Sequence, residues 1–226
     1  MNLDVAPGEL VALVGPNGAG KTTLLEVIAD LVAPDAGEVR VEGRPAAEAR
    51  SKVGYVLADE RSFFLRLSVK DNLQFFGALE GMSGRALRER VRELGALLGL
   101  EPLLETRFAQ LSRGQKQRVG IARGLLPDPP VLLFDEATRA LDPGRAKRFR
   151  RLVREVLVER AQKAVLFATH QLDEAEALAD RAGLLVEGRL EALGPWTELR
   201  AEVEAAFTRE ADAEDAALVQ LLERLG

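Results

Sequence analysis

The feature that most constrains this chain is a set of short runs that are apolar at every position. Leu10 to Val14 reads LVALV, Val131 to Asp135 reads VLLFD, and Ala164 to Thr169 reads AVLFAT. A strand with one face in water alternates apolar and polar residues. A strand without alternation is covered on both faces, which belongs to parallel sheets sandwiched between helices. VGYVL (53–57) adds a fourth run, and GLLVEGRLEALG reads as two short strands or a hairpin. EVRVEG, after the turn at Pro34, Asp35 and Gly37, reads as a further strand. Helical spacing fills the intervals. It predicts helices at 22–31, at 143–160 with Asp142 as N-cap and Pro143 in the first helical position, at about 171–179, and in the tail 197–226. Residues 69–126 are mostly helical and read as a subdomain inserted into the sheet, ended by the prolines of 127–130. The whole of 1–226 reads as one α/β unit.

Composition bounds the function classes. The chain has 226 residues and a formal charge of -5, which argues against nucleic acid as a non-specific partner. It has no cysteine, so thiolate chemistry is excluded. No run approaches the ~18 apolar residues of a membrane span, and MNLDVAPGEL lacks the basic and apolar segments of a signal peptide.

The first apolar run leads directly into GPNGAGKTT, residues 15–23. Gly15, Gly20, Lys21 and Thr22 fit G-x-x-x-x-G-K-[ST], with a strand before and a helix after. Glycines let successive N–H groups curl around an anion, and the helix start adds its positive end. The loop, Gly15, Pro16, Asn17, Gly18, Ala19, Gly20, Lys21, Thr22 and Thr23, is therefore read as holding a nucleoside triphosphate. Lys21 reaches the β- and γ-phosphates, and Thr22 gives its hydroxyl to Mg²⁺. VLLFDE supplies Asp135 for the magnesium shell and Glu136 to orient or deprotonate an attacking water. The single histidine, His170, ends AVLFAT on the same sheet edge, where a neutral imidazole can donate to the γ-phosphate and accept another hydrogen bond.

GPNGAGKT, LSRGQ, VLLFDEAT, RALD and His170, in this order, resemble the ATPase subunit of an ABC transporter over nearly the whole chain. The resemblance implies a P-loop NTPase fold with a mostly parallel sheet, ATP and Mg²⁺ as ligands, and a head-to-tail dimer. In that dimer Ser112, Gly114 and Gln115 of one chain grip the ATP held by the other. The second chain is a copy or a homologous ATPase subunit. The resemblance further implies a separate transmembrane permease as partner and a peripheral place on the cytoplasmic face of the membrane.

Four departures stand out. Arg113 and Arg139 replace the family's usual glycine and serine. The glutamine expected after the fourth run is missing, leaving Asp59, which either approaches magnesium through water or is a loop acid in solvent. Residues 1–14 hold no aromatic to stack on adenine, so either adenine has no such platform or the true start lies upstream of Met1. The segment 60–79 resembles exporter-type ATPases. Its Phe63 and Phe64 either face a permease or fill the subdomain core. Export through a permease is the expected role. A repair, translation or regulatory ABC ATPase is the alternative.

Overall fold

The structure is a computed structural model, and the described residues are 1–57 and 62–209. Asp59 lies outside them.

The elements follow in order as β1 (Leu10–Val14), α1 (Lys21–Ile28), β2 (Arg40–Val41), β3 (Arg44–Pro45), β4 (Val53–Leu57), α2 (Val69–Leu79), α3 (Gly84–Leu98), α4 (Arg113–Leu125), β5 (Val131–Asp135), α5 (Pro143–Arg151), β6 (Ala164–Thr169), α6 (Leu172–Leu178), β7 (Arg181–Val186) and β8 (Arg189–Pro195). A last helix, α7, covers the described part of the tail, 196–209. Six strands form one sheet in the order β4-β5-β6-β1-β7-β8. All neighbours are parallel except the terminal β7–β8 hairpin. The three helices α2–α4 lie in sequence between β4 and β5, which are adjacent in the sheet. They are the inserted helical segment.

The unbroken apolar strands are covered on both faces, and successive residues serve opposite sides. Leu132, Phe134, Val165 and Phe167 pack with Val119, Ile121 and Leu125 of α4 and with Phe149 of α5. Val11, Leu13, Leu133 and Leu166 pack on the other side with Leu25 of α1. Phe134 is fully buried and meets Phe149 edge to face at 5.5 Å between ring centres, a favoured aromatic geometry.

Several boundaries differ from the sequence expectation, each for a local reason. EVRVEG supplies only the two-residue strand β2, which pairs with β3, because Glu42 and Gly43 both take positive φ (50° and 78°) and turn the chain at once. α1 stops at Ile28, and Asp30 has φ 56°. The helix expected over 143–160 is α-helical only to Arg151 and widens to π-helical winding over Leu152–Arg160. Asp142 caps α5 as expected, accepting from the Arg145 N–H at 3.0 Å.

Phe63 fills the core, whereas Phe64 lies at the surface. Phe63 is buried and stacks on Phe108 at 4.5 Å. Phe64 is exposed beside Leu65 and Leu67, and Phe75 meets it edge to face at 4.8 Å. Asn72, fully buried, fixes this segment: its Oδ1 accepts from the Phe64 N–H at 2.9 Å, and its Nδ2 donates to Phe64 O at 3.0 Å.

Phe134 joins the sheet to α4 and α5 directly beside Asp135. Phe134→Ala is therefore expected to lower the unfolding free energy by about 3–5 kcal/mol, measured by denaturant titration. A loss under about 1 kcal/mol would mean that the neighbouring rings close the gap.

Candidate functional site

Strand register builds the site. Val14 of β1 is level with Thr169 of β6, and Asp135 of β5 is level with Ala168 of β6. The three strands therefore end within one residue of one another, and their next residues are Gly15, Glu136 and His170. This is the carboxyl edge of a parallel sheet, where such folds place ligands.

The loop leaves β1 pressed against β7. A Cβ on Gly15 would stand 2.1 Å from the Leu185 carbonyl oxygen, so no larger residue fits without moving the loop. Gly18 and Gly20 hold φ of 80° and 96°, conformations that suit glycine. Gly20 precedes α1, and no side chain caps the first turn, which leaves its N–H groups for an anion. Lys21 is buried. Its Nζ donates to Gly15 O at 2.6 Å and Pro16 O at 2.7 Å, which arches the side chain back over its own loop. Ala19 is buried, while Asn17, Gly18, Thr22 and Thr23 are exposed.

Thr22 Oγ1 donates to Asp135 Oδ2 at 2.8 Å, joining the loop to β5. Asp135 is buried, and burial raises its carboxyl above the usual range. The Thr22 hydrogen bond opposes the rise, Glu136 adds to it, Lys21 opposes it, and Glu26 adds to it. The Tyr55 hydroxyl is buried nearby with no partner in hydrogen-bond geometry among the described residues, and burial first, then the Asp135 and Glu26 charges, push it upward. This corner is rich in hard oxygen and short of positive charge. Among the described residues no group of three or more His, Cys, Asp or Glu gathers into a metal cage. Thr22 and Asp135 thus fit a small divalent cation that takes its other ligands from phosphates and water.

Glu136 sits at φ 48°, a strained setting for a residue with a side chain. Its N–H donates to Ala168 O at 3.0 Å, extending the β5–β6 ladder by one bond. The carboxylate Oε1 lies 2.7 Å from His170 Nδ1, and Oε2 accepts from Arg139 Nη1 at 2.9 Å. With Nδ1 protonated toward the carboxylate, a neutral His170 ring presents Nε2 only as an acceptor. A donor on both sides requires the imidazolium.

Ser112, Gly114 and Gln115 stand at the start of α4. Ser112 and Gln115 bond each other in a capping box: the Ser112 N–H donates to Gln115 Oε1 at 2.7 Å, and the Gln115 N–H to Ser112 Oγ at 3.4 Å. Gly114 approaches the turn after β5, where an added Cβ would meet Ala140 O at 2.8 Å. Arg113 is exposed. The loop 15–23, Asp135, Glu136 and His170 are thus brought to one edge, and Ser112, Gly114 and Gln115 begin α4, with Gly114 against Ala140 of the turn after β5.

Sequence reasoning missed Glu174. It is fully buried, and its carboxylate accepts from Thr169 Oγ1 at 2.6 Å and from Thr138 Oγ1, with Arg150 3.6 Å away. It ties the turn carrying Glu136 to the strand end carrying His170. An acid one helical turn after His170, on the face that buries Ala175 and Leu178, was the available signal. The Arg139–Glu136 pair was also missed, although their i, i+3 spacing allows it.

The sequence model of the family described as ABC transporter matches residues 1–139. The chain belongs to that family. It is 34% identical over 194 residues to the ABC transporter ATP-binding protein NatA of Bacillus subtilis, covering 84% of this chain and 78% of that protein. It is 39% identical over 216 residues to a sulfate/thiosulfate import ATP-binding protein CysA of Caulobacter vibrioides, covering 92% of this chain and 62% of that one. It is also 39% identical over 193 residues to the Nod factor export ATP-binding protein I of Paraburkholderia xenovorans, covering 84% and 62%. The chain thus spans about three fifths of the length of these last two relatives. Among solved structures, the dimeric ATP-binding cassette MJ0796 bound to ADP and Pi matches with a TM-score of 0.78 at 31% identity, covering 86% of this chain and 88% of that chain. The chain is an ABC-type ATPase domain with the P-loop α/β fold. Import and export proteins both match, so the relatives do not single out an exporter subgroup.

The raised carboxyl of Asp135 has a stability consequence. A native value above the unfolded one means that its favourable contribution is present at low pH and lost as pH rises through the native value. At pH 7 the ionised group is a cost. Asp135→Asn is therefore expected to raise the melting temperature of the nucleotide-free chain at pH 7, with the gain shrinking as pH falls through the carboxylate range, while weakening Mg-ATP binding. Calorimetry across pH checks it, and a lower melting temperature at pH 7 contradicts it.

Proposed function

We propose that this domain hydrolyses Mg-ATP in a head-to-tail dimer and drives a separate membrane permease. The observation that carries the reading is Glu136, adjacent to Asp135 and held by His170 at 2.7 Å, on the strand edge that also begins the glycine loop. The loop amides of 15–20, Lys21 and the start of α1 bind the phosphates, with Thr23 in the same first turn. Thr22 and Asp135 would hold Mg²⁺, which would offset the negative charge of the phosphates. Glu136 accepts the proton of the water that attacks the γ-phosphorus, and ADP leaves. His170 orients that carboxylate. Ser112, Gly114 and Gln115 serve the nucleotide of the second chain. The dimeric, ADP- and Pi-bound state of the similar MJ0796 cassette supports this.

Phe64, Leu65, Leu67, Phe75 and Leu79 form the exposed apolar surface for the permease. The unit is read as one ATPase domain over 1–226, with the helical arm at 69–126 and the tail at 197–226. Its place is the cytoplasmic face of the membrane. Among the described residues no helix is long and apolar enough to cross, so a spanning partner supplies the path. Export is the proposed direction, on the likeness of segment 60–79 of the sequence to exporter-type ATPases.

Glu136→Gln is expected to keep ATP binding and lose at least about tenfold in phosphate release, since general-base contributions run about 10²–10⁴-fold. Retention of more than about a tenth of the activity would overturn the assignment. A second experiment tests the dimer. Mixing Lys21→Ala chains with Ser112→Arg chains leaves one composite site intact in each mixed dimer. Partial recovery of hydrolysis is expected, and no recovery despite proven pairing counts against the shared site.

A further inference from the structure

We propose that Arg139 is a positioning residue that restrains Glu136, so that full turnover requires its guanidinium to leave the carboxylate. The inference rests on the reading of Glu136 as the base. Arg139 Nη1 lies 2.9 Å from Glu136 Oε2, while His170 Nδ1 lies 2.7 Å from Oε1. Each carboxylate oxygen thus carries a donor. A base must turn a lone pair toward the proton of water, and a charged donor on Oε2 competes for that oxygen.

The surroundings make Arg139 the movable partner. Its side chain is 59% exposed, against 15% for Glu136. Among the described residues Glu136 is its one ion-pair partner. The backbone closes the same turn, with the Arg139 N–H donating to Glu136 O at 3.1 Å and the Leu141 N–H to Thr138 O at 2.8 Å. Thr138 is anchored on buried Glu174. The next residue after Arg139, Ala140, lies against the start of α4 at Gly114. A shift of α4 therefore reaches Ala140, then Arg139, then the base. Engagement of Ser112 and Gly114 with the second nucleotide is in this way felt by Glu136 of the same chain.

The test is steady-state hydrolysis by the full chain, per dimer, with dimer content measured by sedimentation. Arg139→Ser is expected to raise kcat about threefold to tenfold, with KM within about twofold and an unchanged melting temperature. That range corresponds to about 0.7–1.4 kcal/mol, modest because the pair is half in water. Arg139→Lys returns a cation to the position and is expected to stay within about twofold of wild type. A rise below about threefold, or a fall, in Arg139→Ser overturns the restraint. Glu136→Gln is added to both backgrounds to separate the two claims. If it silences both while Arg139→Ser shows no gain, the restraint alone fails. If the double variant still turns over like Arg139→Ser, the base assignment fails and the restraint with it.

Discussion

The parallel ladder joining β5, β6 and β1 is the constraint on which the rest depends. It levels Asp135 with Ala168 and Val14 with Thr169, so the three strands present their next residues side by side. A slip of one residue would turn Phe134 and Phe167 to the opposite face and carry Asp135 away from Thr22. The same apolar packing that buries these strands therefore positions the phosphate loop, the two acids and the histidine. The geometry of the site is a by-product of core register.

Charge at that edge is unbalanced. Asp135 is buried near two further acids, Glu136 and Glu26, and Lys21 donates to the carbonyls of its own loop. The Thr22 hydroxyl offsets only part of the cost. A ligand that binds only the folded state stabilises it by mass action, so any cation or phosphate taken up at this edge adds to stability. Glu136 faces the opposite situation, since both of its oxygens have nitrogen donors. Asp135 has a neutral hydroxyl on one oxygen and its neighbour has donors on two, so the two adjacent acids sit in different hydrogen-bonding surroundings.

The links between parts are short and polar. Glu174 joins the turn after β5 to the end of β6 through Thr138 and Thr169. Gly114 lets α4 approach Ala140, and Asn72 fixes the segment that exposes Phe64. Buried polar networks of this kind are costly when broken.

The sequence by itself determined the sheet class, the glycine loop, the acids after VLLFD and the cap of α4. Each is a local signal: an unbroken apolar run, a glycine pattern, or a Ser112–Gln115 spacing that closes on itself. Only the tertiary structure decided the rest. The exposure of Phe64 beside buried Phe63, the pairing of His170 with Glu136 and the burial of Glu174 all depend on chain segments far apart in sequence. The pairing of Arg139 with Glu136 is close in sequence, yet it needs the tight turn that Thr138 and Glu174 hold. Asp59 lies outside the described residues, so both of its readings stand. The physical reason is that a side chain's partners are set by strand register and helix packing, while its chemical type is set by the codon alone.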